Sequence, residues 1–481
     1  MLFCANDEKS WRLSQWNVAK KVNNFLYSRY FLLVLALLAV AGHVFEIEMC
    51  IYWVYTAIMV YVALFGKDFL LLLPITINCY IMPSHLNNPG KHAESIFFME
   101  NGADRFVIIG ALILSSALVR MIFDREIGFR NLKRVNLKLL WGMLALCAAY
   151  LLSGLRSESF AENFVKNTRF ALLQCVAVIA LYFILSFSVK WEECDRRYLC
   201  YVLVLMGLVI GIEVLNIYRI NDVKLFESIE KDSVYVGWGI SNNIGMHVAL
   251  AIPAAFYFVY KGEGAIFYNA VAVLLGAFTV LTASRAAILG AGVLYVACVV
   301  FVVLKGKKRL ARLLTLACAL FCGFVALDVL RSTDILTKVF ENGLQSKSRI
   351  DLYRFGMELF AKEPLFGNGF FCMNDYNLDY TIWDKIEAFS VGFPDRWHNT
   401  IVQLLVSCGV VGLIAYLYHR YQTVKLFITK RNPEKIFVGA SLLLLLALSL
   451  VDCHFYNIGP VLIYSAALAF IEGTETRPIR V

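Results

Sequence analysis

The sequence predicts an all-α, polytopic membrane protein. Hydrophobic residues make up 60% of the 481 residues and charged residues only 17%, whereas soluble proteins are about 25% charged. The hydrophobic residues are grouped in blocks of about 20, the length at which an α-helix crosses about 30 Å of hydrocarbon. These blocks are continuous and do not alternate with polar residues, as the strands of a membrane barrel would.

Fourteen apolar segments are predicted to span the membrane. One of them, 68–83, is short and contains Pro74, so about 12–14 transmembrane helices are expected. The sequence has no internal repeat of the kind found in many secondary transporters. In chain order the segments are 30–46, 48–65, 68–83, 106–122, 136–154, 169–189, 198–215, 243–260, 264–281, 285–304, 310–330, 398–418, 436–452 and 456–472.

The distribution of Lys and Arg predicts how these helices are oriented. With the N-terminus inside, the inner segments hold 28 of the 45 Lys and Arg residues and the outer segments hold 17, of which 8 lie in the single loop 331–397. Long loops carry little topological information, so the fair comparison is 28 residues inside against 9 outside. Both termini are therefore expected to be cytoplasmic. The expected order is a cytoplasmic segment 1–29, membrane helices in 30–330, an extracytoplasmic loop 331–397, membrane helices in 398–472 and a cytoplasmic tail 473–481.

The net charge of +9 follows from the same positive-inside bias, and no nucleic-acid partner is expected. The partners expected instead are membrane lipids and ligands that approach from the membrane or from its outer face.

The predicted extracytoplasmic loop is longer than most connections, which indicates a functional role. Within it, "SRIDLYRFGMELFAKEP" predicts an amphipathic helix with Ser348 as N-cap, Asp351 completing a capping box, and Pro364 ending the helix. Gly367 and Gly369 predict a tight turn directly afterwards. We expect the helix to lie on the outer membrane surface, on an apolar stripe formed by Ile350, Tyr353, Met357 and Phe360.

Thirteen polar residues gather on the predicted outer face, and six of them lie at or just inside the ends of apolar blocks, where charged groups are costly and usually mark a site. Arg285 lies between two long blocks joined by almost no loop, although an arginine that snorkels to lipid headgroups is an equal alternative. His398 begins an apolar block, and beside Trp397 it could equally belong to an interfacial aromatic belt. The gathered residues are Arg169, Asn242, Asn243, His247, Ser284, Arg285, Arg349, Arg354, Arg396, His398, Asn399, Asp452 and His454.

These residue types suit an anionic ligand carried by a lipid tail. Guanidinium groups bind phosphate oxygens bidentately, and fixed cations stabilise a diphosphate leaving group. A helix start at His398 favours the neutral imidazole, which is available as a base for a sugar hydroxyl, and Asn399 could orient a hydroxyl or a phosphate oxygen. The acidic residues of the loop form no pair suited to a divalent ion, so metal-independent chemistry without a cofactor is expected.

Four stretches occur in this order: "WGISNNIGMHVALAIPAAF", "LTASRAAILG", "SRIDLYRFGMELFAKEPLFGNGF" and "HNTIVQLLVSCGVVGLIAYL". Together with the long loop between the third and the fourth, they resemble the O-antigen ligase and O-antigen polymerase superfamily. The resemblance covers roughly residues 230–420. It implies a GT-C-like glycosyltransferase that transfers a glycan, with inversion and without a metal, from undecaprenyl diphosphate on the outer leaflet of the bacterial cytoplasmic membrane.

The resemblance also implies roles for individual residues. The catalytic histidine of the family falls on His398, and its two phosphate-binding arginines fall on Arg285 and Arg349. The asparagine of an earlier motif falls on Asn243, next to Asn242. No metal ligands are implied, and the expected supporting residues are Asn399, Arg354, Arg396 and Ser284.

The sequence departs from the family pattern in extra N-terminal spans and in the insertion "CMNDYNLDYTIWDKIEAFSVGFPDR" before His398. Both leave the acceptor open. The favoured function is polymerisation of a surface polysaccharide, in which a second lipid-linked glycan is the acceptor. The alternative within the family is a ligase that attaches a finished glycan to a lipid or wall acceptor.

Two functions from other classes fit the sequence less well. A flippase or transporter of lipid-linked oligosaccharides would place charged residues or broken helices near mid-membrane, whereas here the polar residues gather at one face. A structural or sensory membrane protein gives no reason for the arginine and histidine cluster.

Overall fold

The computed structural model describes most of the chain, and within the described residues the architecture is a bundle of α-helices. The β structure in this part of the chain is one short hairpin, in which β1 (Tyr235–Val236) pairs antiparallel with β2 (Gly239–Ile240). The predicted all-α fold class is therefore confirmed. The described residues are 16–45, 47–81, 103–123, 137–156, 178–191, 193–225, 234–236, 239–332, 347–369, 397–429, 433–452 and 458–473.

Sixteen helices are described in these ranges. They are α1 (Asn17–Leu26), α2 (Arg29–Phe45), α3 (Glu48–Phe65), α4 (Leu72–Ile81), α5 (Ala103–Phe123), α6 (Lys138–Leu151), α7 (Val178–Ser188), α8 (Glu193–Ile220), α9 (Ser241–Lys261), α10 (Ala265–Leu281), α11 (Arg285–Lys305), α12 (Arg309–Ser332), α13 (Lys347–Lys362), α14 (Thr400–Thr429), α15 (Pro433–Leu448) and α16 (Ile458–Gly473).

Each of the fourteen predicted spans coincides with one of these helices. Among the described residues, α8, α9, α11 and α14 are each long and apolar enough to cross a membrane, and the bent pair α1 and α2 gives a fifth candidate span. Six further apolar helices are shorter. A polytopic membrane protein is therefore confirmed. The two additional helices are α13, which the loop sequence predicted, and α1, which it did not.

Helix α9 forms the centre of the bundle and packs against α8, α10, α11 and α15. Its apolar part is buried all round, with Leu250, Ala251 and Phe256 fully inaccessible. A helix that is apolar on every side is stable only where other helices surround it. Helices α11 and α12 instead keep large apolar side chains such as Val293 and Phe324 exposed, as lipid-facing helices do.

The two ends of the bundle are distinguished by long-range contacts. At the polar end, defined by residues 241–243, 282–285, 397–399 and 449–452, Ser241 Oγ donates to the Thr282 carbonyl at 2.7 Å and the N–H of Thr400 donates to the Ser449 carbonyl at 2.9 Å.

The opposite end is defined by residues 66–71, 138–139, 188–191 and 470–473. There, Glu472 accepts a hydrogen bond from the backbone N–H of Lys138. The N–H of Phe69 donates to Ser188 Oγ at 3.3 Å. The two ends therefore hold different helix termini, and the candidate site residues lie at the polar end.

Helix α14 is broken at Gly409, which has a φ of 64° and a ψ of −160°. The turn 364–369 fills the break. The N–H of Asn368 donates to the Val406 carbonyl at 2.7 Å, and the following N–H donates to the next carbonyl of α14 at 3.1 Å. Beyond the break, two N–H groups of α14 donate to carbonyls of the turn at 2.9 and 3.3 Å. The backbone groups released by the break are thus satisfied within protein, which irregular backbone in an apolar helix requires.

The predicted loop helix is present as α13, and the predicted glycine turn follows it, with φ of 70° and 106° at Gly367 and Gly369. The cap prediction was wrong: α13 begins at Lys347, so Ser348 lies inside the helix. The buried face of α13 differs from the predicted apolar stripe, because that face packs against α14. It consists of Leu352, Phe355 and Leu359. Ile350 and Met357 of the predicted stripe are each 42% exposed.

Candidate active site

The start of α14 is set by Asn399. Its Oδ1 accepts hydrogen bonds from the N–H groups of Ile401 at 2.8 Å and Val402 at 3.1 Å, the geometry of an N-cap. Its Nδ2 donates to the Leu450 carbonyl at 2.8 Å. The helix therefore begins two residues later than predicted, and His398 precedes it. Within the protein, Asn399 is therefore a helix cap, and its contact with a hydroxyl or phosphate oxygen stays a prediction.

The backbone of His398 has a left-handed conformation, with a φ of 47°, and the residues around it fix this conformation. The preceding Trp397 is fully buried and packs with Phe355 of α13. The N–H of Trp397 donates to Gln403 Oε1 at 3.1 Å, and Tyr353 OH donates to the His398 carbonyl at 3.1 Å. These contacts fix the direction in which the half-buried imidazole leaves the chain.

A chain of four polar side chains crosses the polar end. Nδ1 of His398 lies 3.1 Å from Oδ1 of Asp452. Asn242 Nδ2 donates to Oδ2 of the same carboxylate at 2.7 Å, and Ser284 Oγ donates to Asn242 Oδ1 at 3.1 Å. Polar side chains thus contact both carboxylate oxygens of Asp452. An ionised carboxylate only accepts hydrogen bonds, so a neutral imidazole that donates from Nδ1 to Asp452 would keep its lone pair on Nε2.

Arg285 is the first residue of α11 and directly follows Ser284. The connection from α10 consists of three residues, and Ala283 within it has a φ of 54°. Helix α9 approaches this connection closely because Gly245 has no side chain: a Cβ there would lie 2.6 Å from Thr282 Oγ1. This close approach holds Ser284 against α9, and the half-buried Arg285 directly follows it in the chain.

Arg349 reaches the same end from α13. Its Nη1 donates to the Val451 carbonyl at 2.7 Å, one residue before Asp452, and its side chain is half-buried. Arg354 lies about 140° further around the helix, at about 100° per residue. Its side chain is 77% exposed and its Nη1 is 3.8 Å from Asp351 Oδ1. The structure thus brings Arg349 to the polar end and leaves Arg354 in solvent.

The remaining predicted residues are placed as follows. Asn243 is buried, and its carbonyl lies 2.5 Å from Nδ1 of His247. It is Asn242, its neighbour, that contacts Asp452. Arg396 lies outside the described residues, as do Arg169 and His454.

Comparison with known families favours one of the classes of function that the sequence left open. Residues 270–417, from within α10 to the middle of α14, match the family model for O-antigen ligase. This matched stretch, less than half of the chain, is similar to an O-antigen ligase domain. It includes Arg285, Arg349 and His398, and the match supports the superfamily predicted from the four stretches. No curated protein matches the chain.

The stretch 270–417 does not contain the whole polar chain. Asn242 and Asp452 lie outside the matched residues, on α9 and after α15. The sequence had placed both among the polar residues of the outer face but had assigned neither a role. The available signal was the position of Asp452 at the end of an apolar block, where an acid without a partner is costly. Its partner could not be identified without the fold.

Proposed function

We propose that this protein is a membrane glycosyltransferase that moves a glycan from an undecaprenyl diphosphate carrier to a sugar hydroxyl at the outer face of the bacterial cytoplasmic membrane. The observation that carries the proposal is the contact of 3.1 Å between His398 Nδ1 and Asp452 Oδ1. It leaves Nε2 of His398 as a base for the hydroxyl, at the bundle end that Arg285 and Arg349 also reach.

In the proposed step, the acceptor hydroxyl attacks the anomeric carbon of the donor glycan from the side opposite the diphosphate, which inverts that carbon. The bond from this carbon to the diphosphate oxygen breaks, and its electron pair stays on undecaprenyl diphosphate. The hydroxyl proton passes to Nε2 of His398. Asp452 then faces a positively charged imidazolium and stabilises it. A general base of this kind typically accelerates a reaction about 10²–10⁴-fold.

Arg285 and Arg349 are proposed to hold the diphosphate. Both side chains are half-buried near helix starts at the polar end, so each guanidinium is partly withdrawn from water. Fixed cations in such a site stabilise the charge that develops on the leaving group, and the planar guanidinium matches phosphate oxygens better than an ammonium does. The proposed mechanism therefore assigns to arginines the role that a divalent ion has in other transferases.

The favoured acceptor is a second lipid-linked glycan, which makes the protein a polymerase of a surface polysaccharide. The reason is economy of binding, because one kind of lipid-linked substrate then serves as both donor and acceptor. A ligase would instead need a site for a lipid or wall acceptor. The proposed orientation places both termini in the cytoplasm and the stretch 331–397 outside.

The test is an assay with protein purified into liposomes and a synthetic undecaprenyl-diphosphate-linked repeat as the sole glycan. A polymerase produces a ladder of lipid-linked products and releases undecaprenyl diphosphate. A ligase produces no ladder until a lipid or wall acceptor is added. EDTA should leave the product yield unchanged. Absence of any transfer with either acceptor, or a requirement for a divalent metal, would contradict the proposed function.

A further inference from the structure

Helix α1 (Asn17–Leu26) presents three different faces, and the first packs on the protein. Ala19, Asn23 and Leu26 are buried. Asn23 Nδ2 donates to the Phe65 carbonyl at the end of α3 at 2.8 Å, and Tyr61 OH donates to the Ala19 carbonyl at 3.4 Å. These contacts hold α1 against the opposite end of the bundle, away from His398.

The second face of α1 is apolar and, among the described residues, largely exposed. Val18 is 74% exposed and Phe25 is 49% exposed, and Val22 between them is half-buried and packs partly against the core. The spacing of i, i+4 and i+7 places these three side chains in one stripe. The third face is polar and consists of the exposed Lys20 and Lys21 with the half-buried Asn24 between them.

The surroundings of α1 indicate what covers the apolar stripe. Residues 27 and 28 join α1 to α2 through a bend of 64°. Helix α2 is itself lipid-facing, with Tyr30, Leu33 and Leu37 more than half exposed. A helix that leaves the end of a lipid-facing span at this angle is closer to perpendicular to the span than to parallel with it, and so closer to the membrane plane. Its apolar stripe then meets acyl chains, and its lysines meet headgroups.

We propose that α1 is an in-plane anchor that binds the membrane surface at the bundle end opposite His398, with Val18, Val22 and Phe25 in the acyl region and Lys20 and Lys21 on anionic phospholipid headgroups. Trp16, which is 60% exposed directly before the helix, belongs to the aromatic side chains that sit at this depth. This inference rests on the packing of α1 alone and is independent of the glycosyltransferase proposal.

The first test measures the depth of single positions in the full-length protein reconstituted in vesicles. An environment-sensitive fluorescent amino acid is inserted at position 18, 21, 24 or 25 by stop-codon suppression, which leaves the native cysteines in place. Position 37 on α2 serves as the reference for acyl-chain contact. Bromine-labelled acyl chains should quench positions 18 and 25 nearly as strongly as position 37, whereas aqueous iodide should quench positions 21 and 24.

Equal iodide quenching at positions 18, 21 and 25 would show that the stripe faces water. Protection of positions 18 and 25 from both quenchers would show that it is covered by protein. Either result overturns the proposal. Asn24 is half-buried and Phe25 packs with the core residue Phe31, so an unchanged melting temperature is required of each variant to verify the fold.

The second test addresses the headgroups. The fluorophore at position 24, between the two lysines, should be quenched more by phosphatidylglycerol with a nitroxide near the headgroup than by phosphatidylcholine with the same label. Lys20→Gln with Lys21→Gln should abolish this difference. The matched control, Lys224→Gln with Lys362→Gln, removes two exposed lysines elsewhere and should preserve it. Equal quenching by the two lipids in the native protein would refute the anionic-headgroup contact.

Discussion

Asp452 and His398 are 54 positions apart in the chain, and Oδ1 of Asp452 lies 3.1 Å from Nδ1 of His398. The imidazole stands before α14 and the carboxylate stands after α15, so their meeting depends on how these helices pack. Asn242, from the start of α9, holds the second carboxylate oxygen at 2.7 Å. The orientation of the proposed base is thus set by side chains from three separate parts of the bundle.

Asp452→Asn should lower turnover while the protein keeps its fold. An amide has nearly the same shape but can present N–H to Nδ1, which favours the proton on Nε2 and removes the base; this kind of tautomer error costs about 10⁴-fold in serine proteases. We expect a loss of about 10²–10⁴-fold in kcat with little change in KM for the donor. Asp222→Asn, at an exposed aspartate, is the control. Turnover of Asp452→Asn within a factor of two of the native protein would contradict the role of the dyad.

His398→Ala and His398→Gln should both abolish product formation while lipid-linked donor accumulates. The pH profile separates two roles for the imidazole. A base is lost on protonation, so turnover of the native protein should fall towards acid pH, whereas a phosphate-binding cation would lose activity towards alkaline pH. The assay is run from about pH 5 to 9, around the ordinary range of histidine, with EDTA present. Activity that rises steadily towards acid pH would assign His398 to phosphate binding.

Arg285→Ala and Arg349→Ala should each reduce transfer by about 10²–10³-fold, the usual cost of removing one fixed donor to a developing anion. Lysine at either position should restore only part of this loss, because an ammonium lacks the planar guanidinium geometry that binds two phosphate oxygens at once. Arg354→Ala is the control within α13, since its side chain is 77% exposed. Equal effects at Arg349 and Arg354 would show that the loss reflects general charge rather than a defined diphosphate contact.

Gly409→Ala should destabilise the protein. The φ and ψ of Gly409 lie in a region used almost only by glycine, which costs other residues about 1–3 kcal/mol. An added Cβ would also lie 2.4 Å from the Leu365 carbonyl. Gly276→Ala in α10 is the control, because a Cβ there meets nothing within 4 Å and alanine favours helix. Thermal unfolding in detergent should show a lower melting temperature for Gly409→Ala only, and an unchanged value would contradict the role of the break.

The proposed orientation has its own test. Single cysteines at Asn374 and Lys308 in a cysteine-free background should differ in their reaction with a membrane-impermeant maleimide applied to intact cells. Only the probe at 374 should react, because the stretch 331–397 is proposed to be outside and the connection at 308 inside. Reaction at position 308 alone would show that the protein has the opposite orientation in the membrane.

The sequence predicted most of the helices because membrane spans depend on one local property, a run of apolar residues long enough to cross hydrocarbon. It missed α1, since a helix with three narrow faces has no such run. Arg285 and His398 were singled out as polar residues at the ends of apolar blocks, whereas Arg349 was assigned through the family resemblance.

The sequence did not predict the hydrogen-bond partners of the site residues. Contacts such as that of Asn242 with Asp452 depend on the packing of distant helices. Tyr353 was assigned to an apolar stripe, because nothing local shows that its hydroxyl reaches the His398 carbonyl.

The turn inserted into the broken helix has a consequence for how this protein could vary. The N–H of Gly369 donates to the Ser407 carbonyl, and the N–H of Trp397 donates to Gln403 Oε1. Residues 369 and 397 are therefore both held by the first half of α14, at positions four residues apart. A change in the length or composition of 370–396 thus need not displace His398. Under the proposed function, acceptor preference could change through this stretch while the reacting groups stay the same.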